Sequence, residues 1–141
     1  MQAMEVVLGT NVPVGPKALV SEANSSMGLA ILRAISDEPS NMIMRSAVSK
    51  GKSVEEICLE TGVPLSTAYR KIGEMMASGL IFVERVKLTE AGKKHLVYRT
   101  AYSKVAIQCD PVNFTVESTP NAGVPDIVYR LWLFASSHPE R

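Results

Sequence analysis

The sequence predicts an α+β fold, mainly helical, from three observations. Ser53-Val54-Glu55-Glu56 has the pattern of a helix start, and Thr61-Gly62 that of its stop. A second helical pattern from Thr67 to Ser78 follows after a short turn. From Leu80 onward the helical period gives way to β-branched and aromatic runs.

The 141 residues fit one domain with arms and a single modest core. They divide into an N-terminal arm (1–24), a central domain (25–117) and a C-terminal segment (118–141) expected to pack or dimerise. Early in the chain the apolar run Val6 to Leu8 meets Gly9, Asn11, Pro13, Gly15 and Pro16, which suit an arm or a short strand. Met27, Leu29, Ala30, Ile31, Ala34 and Ile35 predict a helix, capped by Ser25 or Ser26 and stopped by Asp37 to Pro39. A further short helix fits Asn41 to Ser49, with Met42, Ile43, Ala47 and Val48 inward.

Ser53 to Glu56 reads as a capping box, in which the Ser53 hydroxyl accepts the Glu56 amide proton and the Glu56 carboxylate accepts that of Ser53. Gly62 ends that helix, because glycine takes the left-handed conformation without steric cost. Val63-Pro64-Leu65 forms a turn, and Ser66 is expected to cap the next helix. Two short helices around such a turn make a helix-turn-helix. At about 100° per residue, Ala68, Ile72 and Met75 form a buried stripe. Ser66, Arg70, Gly73 and Ala77 lie opposite, with Tyr69 and Glu74 on the flanks. That face is short, polar and cationic near its N-terminus, as a helix that meets base edges and phosphates requires.

Leu80 to Val86 reads as a strand, Lys87 to Lys94 as a basic connection, and Leu96 to Tyr98 as the return strand. The whole is a winged helix-turn-helix. Thr89-Glu90-Ala91-Gly92 is also compatible with a helix through Arg99. Val105, Ile107 and Cys109 suggest a third strand and Phe114 to Val116 a fourth, so the wing is expected to be extended by extra C-terminal strands. Pro125 opens a final helix, Asp126 to Ala135, whose Ile127, Val128, Leu131, Trp132 and Phe134 must bury against the core or a second chain.

The formal net charge of +1 says little about partners, but its distribution does. Arg45 to Lys104 carries eleven Lys or Arg against six acids, whereas the flanks carry four against eight. Phosphate attraction depends on such local charge. Cys58 and Cys109 are far apart and read as reduced thiols of a cytoplasmic protein, Cys58 in a helix core. Neither a membrane-spanning run nor a signal-peptide pattern is visible. There is no Gly-rich phosphate loop, no H-E-x-x-H and no G-x-S-x-G, so the expectation is a protein that is not an enzyme and holds no cofactor.

These motifs resemble the winged-helix transcription regulators of the arsenical-resistance repressor (ArsR) class. The residues that carry the likeness are Ile31 to Asp37, Ser53 to Val63, Ser66 to Ile72, the Ser78-Gly79-Leu80-Ile81 junction and Leu88 to Gly92, within about half of the chain. The resemblance implies sequence-specific binding of double-stranded DNA by a homodimer. The helix 66–78 would enter the major groove, with contacts from Ser66, Thr67, Tyr69, Arg70 and Lys71. Wing contacts would come from Arg85, Lys87, Lys93 and Lys94. It further implies that the first and last helices build the dimer. Metal-sensing members carry a C-x-C motif in the helix equivalent to Val54 to Glu60, where this chain has only Cys58. Neither His95 nor His138 has a partner at ligand spacing, so no metal is expected. The alternative reading is a winged-helix module that joins proteins in a larger complex, since a fold does not dictate function. A small-molecule pocket within the extra strands, Val105 to Val116, is a third reading without a ligand signature.

Overall fold

The computed structural model describes residues 2–7, 19–22 and 25–137. Two strands, β1 (Gln2–Val7) and β2 (Leu19–Glu22), come from the segment read as an arm or a short strand. Helix α1 (Ser26–Ser36) follows, its cap formed by Ser25 Oγ, which accepts from the Gly28 amide at 3.0 Å. Asp37 then serves two helices. Its amide closes α1 on the Arg33 carbonyl, and its carboxylate accepts from the amide and hydroxyl of Ser40. The second helix, α2 (Glu38–Ser46), therefore begins before the expected Asn41 and ends before Ser49. Pro39, expected to act as a stop, sits in its first turn, where the missing N–H has no intrahelical acceptor to lose.

Helix α3 (Val54–Thr61) has both bonds of the expected capping box and ends on Gly62 at φ 78°. Helix α4 (Leu65–Ala77) starts one residue before Ser66, with Pro64 at the cap position and no side-chain cap bond. Ser66 is thus a residue of the first turn, with its hydroxyl exposed, and not the cap. The proline fixes the extended entry that a capping side chain was expected to supply. Ala68, Ile72 and Met75 are buried, as the helical period requires.

Strands β3 (Ile81–Leu88) and β4 (Lys94–Thr100) pair antiparallel as a two-stranded wing, with a register shift between Val83 and Arg85. The alternative helix from Thr89 is not formed. Strands β5 (Tyr102–Cys109) and β6 (Phe114–Pro120) do not extend the wing. They join β1 and β2 in a separate four-stranded antiparallel sheet of order β1-β5-β6-β2. The expected extension fails because strand pairing is non-local, and β5 and β6 find their outer partners in the first 22 residues. Val105, Ile107 and Val116 fill the core from one face of this sheet.

One residue, Ala101, separates β4 from β5. It is buried, donates to the Leu80 carbonyl at 2.8 Å and accepts from the Asn121 amide at 2.8 Å. Beside it, Thr100 caps the end of α2: its hydroxyl donates to the Met44 carbonyl at 2.7 Å and its amide to the Ala47 carbonyl at 3.1 Å. The buried Asn121 side chain donates to the carbonyls of Val48 and Thr100.

The final helix, α5 (Asp126–Ser137), is anchored by Trp132. The indole is fully buried, stands 6.1 Å from the Tyr102 ring, and donates to the Gly79 carbonyl at 2.7 Å. Ile127, Leu131, Leu133 and Phe134 remain exposed, so the inward set expected for this helix is only partly realised.

Trp132→Ala should destabilise the protein by about 3–5 kcal/mol through loss of packing. Trp132→Phe should cost about 1–3 kcal/mol, because it leaves the Gly79 carbonyl buried and unpaired. Urea denaturation read by circular dichroism checks both. Equal stability of Trp132→Phe and the natural protein would show that the hydrogen bond contributes nothing.

Candidate nucleic-acid interface

The open face of α4 is built by rotation alone. With Ala68, Ile72 and Met75 inward, Ser66, Tyr69, Arg70, Gly73, Glu74 and Ala77 are exposed. Tyr69 is 52% exposed, and Leu65 beside it is also open to solvent. Arg70 makes only a loose exposed pair with Glu74, one helical turn on, at 3.5 Å. Such a pair adds little to stability and leaves the guanidinium accessible.

Lys71, one residue further, turns about 100° away from Arg70. It lies against Asp37 at 3.0 Å with its side chain only 17% exposed. It pins α4 to the α1–α2 junction and does not share the open face. Thr67 is half-buried on the same flank. The expected helix contacts therefore separate into Ser66, Tyr69 and Arg70 in the open, Thr67 at the margin and Lys71 turned inward.

The wing brings a second group to Tyr69. A cleft of about 490 Å³ between the two helices and the wing is lined by Val54, Glu55, Tyr69, Lys93, Lys94, His95, Leu96 and Tyr98. Lys93 and Lys94 are exposed at its rim because the turn at Thr89 to Lys93 closes on itself. The Thr89 amide donates to the Lys93 carbonyl, and Thr89 Oγ1 accepts from the Lys93 amide. His95 Nδ1 lies 3.5 Å from Glu55 Oε2. Sequence reasoning missed His95 and Leu65. The partner of His95 is distant in the chain, and Leu65 was placed in the turn. Burial, with Tyr69 and Glu55 nearby, pushes the Tyr98 hydroxyl up from its ordinary value.

Arg85 and Lys87 sit on β3 outside the cleft lining, Lys87 directly across the hairpin from His95. Both are exposed, Arg85 beside Glu84 at 3.7 Å. The charges of Lys87 and Lys50 reach Glu56, whose carboxyl is held low chiefly by the Ser53 amide. Other cations are engaged within the fold. Lys52 pairs with Glu60, and Arg99 pairs with Glu84 at 3.0 Å while donating to the Val48 and Ser49 carbonyls.

Among the described residues, no three His, Cys, Asp or Glu side chains come together as a metal site. His138 lies outside those residues. Cys58 packs against the core, and burial with the Glu55 charge pushes its thiol up, which disfavours thiolate chemistry. No described helix is long and apolar enough to cross a membrane.

No protein-family model matches the chain, and no curated protein matches it. Among solved structures, NolR from Sinorhizobium fredii is similar to it at a TM-score of 0.38 and 13% identity, over 77% of this chain and 79% of that one.

Bonds from Ser40 and Lys71 hold the Asp37 carboxyl below its ordinary value, and the bond from Lys52 does the same for Glu60. Depressed carboxylates stabilise the fold above their unfolded values and lose that contribution as pH falls through the folded ones. Stability should therefore decline as pH drops below about 4. Asp37→Asn keeps a capping side chain, discards the charge, and should flatten part of that decline. Urea midpoints measured across this range test it; an unchanged slope in the variant would exclude Asp37 as a contributor.

Proposed function

We propose that this chain is a transcriptional regulator of the ArsR class that binds duplex DNA sequence-specifically as a homodimer. The observation that carries the reading is the juxtaposition of the open α4 face with the rim of the wing cleft. Ser66, Tyr69 and Arg70 occupy the N-terminal half of a helix narrow enough for the major groove, and Lys93 and Lys94 line a cleft with Tyr69 beside it. The helix supplies base and phosphate contacts, and the wing, with Arg85 and Lys87 further along, supplies backbone contacts. Thr67 is a marginal contact, and Lys71 acts indirectly by fixing the pitch of α4.

The dimer is assigned to α5. Ile127 is 77% exposed and Phe134 60%, and with Leu131 they recur at helical spacing along one side. A cleft of about 330 Å³ beside them is lined by Met27 and Ala30 of α1 and by Leu131, Phe134 and Ala135 of α5. A second copy related by a two-fold axis covers this face and presents two recognition helices to a palindromic site.

One observation favours a second reading, a winged-helix module that joins proteins. Val86 and Leu96 are cross-strand partners on the wing, and both are exposed with Leu88, which is 66% open. Phosphate contact has no use for that apolar stripe.

Selection from random duplex DNA should enrich an inverted repeat. On the selected duplex, Arg70→Ala with Lys93→Ala should weaken binding by about 2–4 kcal/mol and make its salt dependence shallower by roughly one or two phosphates. Unchanged affinity at moderate salt would overturn the DNA reading and leave the module. Leu131→Ser with Phe134→Ser should shift the sedimentation coefficient from dimer to monomer. A dimer that survives both substitutions is not built on α5.

A further inference from the structure

Gly73 lies in the third turn of α4, in the middle of its exposed face, where glycine is the poorest choice for a helix apart from proline. None of the usual internal reasons for a glycine applies. Its backbone is helical and is absent from the positive-φ glycines of the described residues, so no special conformation demands it. A Cβ built on it meets nothing within 4 Å, so no neighbouring element within the described chain needs the space. Gly51, by contrast, is packed so closely that a Cβ would lie 2.5 Å from Glu84 Oε1.

The surroundings define what approaches the position. Tyr69 and Arg70 lie one turn earlier on the same side, and the wing cleft holding Lys93 and Lys94 opens beside Tyr69. A polyanion held by these groups is drawn onto the helix surface at the next turn. We propose that Gly73 is the point of closest approach between α4 and the duplex: the missing side chain lets the helix backbone settle against the floor of the major groove, so that Arg70 reaches base edges. This inference rests on the DNA-binding reading above and adds a residue that sets the depth of docking.

The test exploits two effects of opposite sign. Gly73→Ala improves helix propensity and should raise the melting temperature by about 3 °C. The same variant should bind the selected duplex roughly tenfold more weakly, and Gly73→Gln, a longer helix former, more weakly still. Equal affinity of Gly73→Ala and the natural protein would overturn the inference, as would a loss of affinity accompanied by a lower melting temperature. A changed sedimentation coefficient with unchanged DNA affinity would also overturn it, by assigning the position to a protein contact. The Arg70→Ala, Lys93→Ala protein is run alongside. If that protein loses binding and Gly73→Ala does not, only the docking-depth inference fails. If no duplex is enriched at all, the regulator reading fails first and takes the inference with it.

Discussion

The fold turns on a small buried polar junction. Asn121, at the end of β6, donates to the carbonyls of Val48 and Thr100, and Thr100 satisfies the carbonyls that end α2. Three segments from distant parts of the sequence thus meet at hydrogen bonds shielded from water, where an unpaired partner is costly. The placement of α4 and the wing follows in part from this junction. The junction fixes β4 against α2, and Asp37 at the start of α2 is where Lys71 pins α4. Trp132 completes the frame from the other side by closing on Gly79, where α4 gives way to β3.

Features decided within a few residues were legible in the sequence, and features decided by distant partners were not. The Ser53 to Glu56 box, the Gly62 stop and the buried stripe of α4 depend on neighbours three or four positions apart. Asp37 stops α1 as expected, but the same residue caps α2 and Pro39 sits in its first turn, so the start of α2 was misplaced at Asn41. Ser66 looked like a cap because serine commonly is one, but Pro64 had already set the entry angle. β5 and β6 read correctly as strands, yet their separation from the wing was hidden, because β1 and β2 lie roughly a hundred residues away. For the site, rotation about α4 placed Ser66 and Arg70 correctly and gave no warning that Asp37 would claim Lys71.

Electrostatics show the same division. The excess of basic residues between Arg45 and Lys104 overstates the positive charge displayed at the surface. Lys52, Lys71 and Arg99 spend their charge inside the fold, on Glu60, Asp37 and Glu84. What remains displayed is a smaller set: Arg45 and Lys50, Arg70 on the helix, and Arg85, Lys87, Lys93 and Lys94 on the wing. Where those charges lie matters more for attraction than their number, since screening confines each to its surroundings.

Ala101 has a mechanical consequence. Both of its backbone polar groups are engaged, and no loop intervenes between the wing and the four-stranded sheet. A linkage of that kind has no slack. No flexible joint lies between Thr100 and Tyr102 to take up a change in the angle between the two sheets. The two sheets share one stiff corner, and its vertex is a single buried alanine.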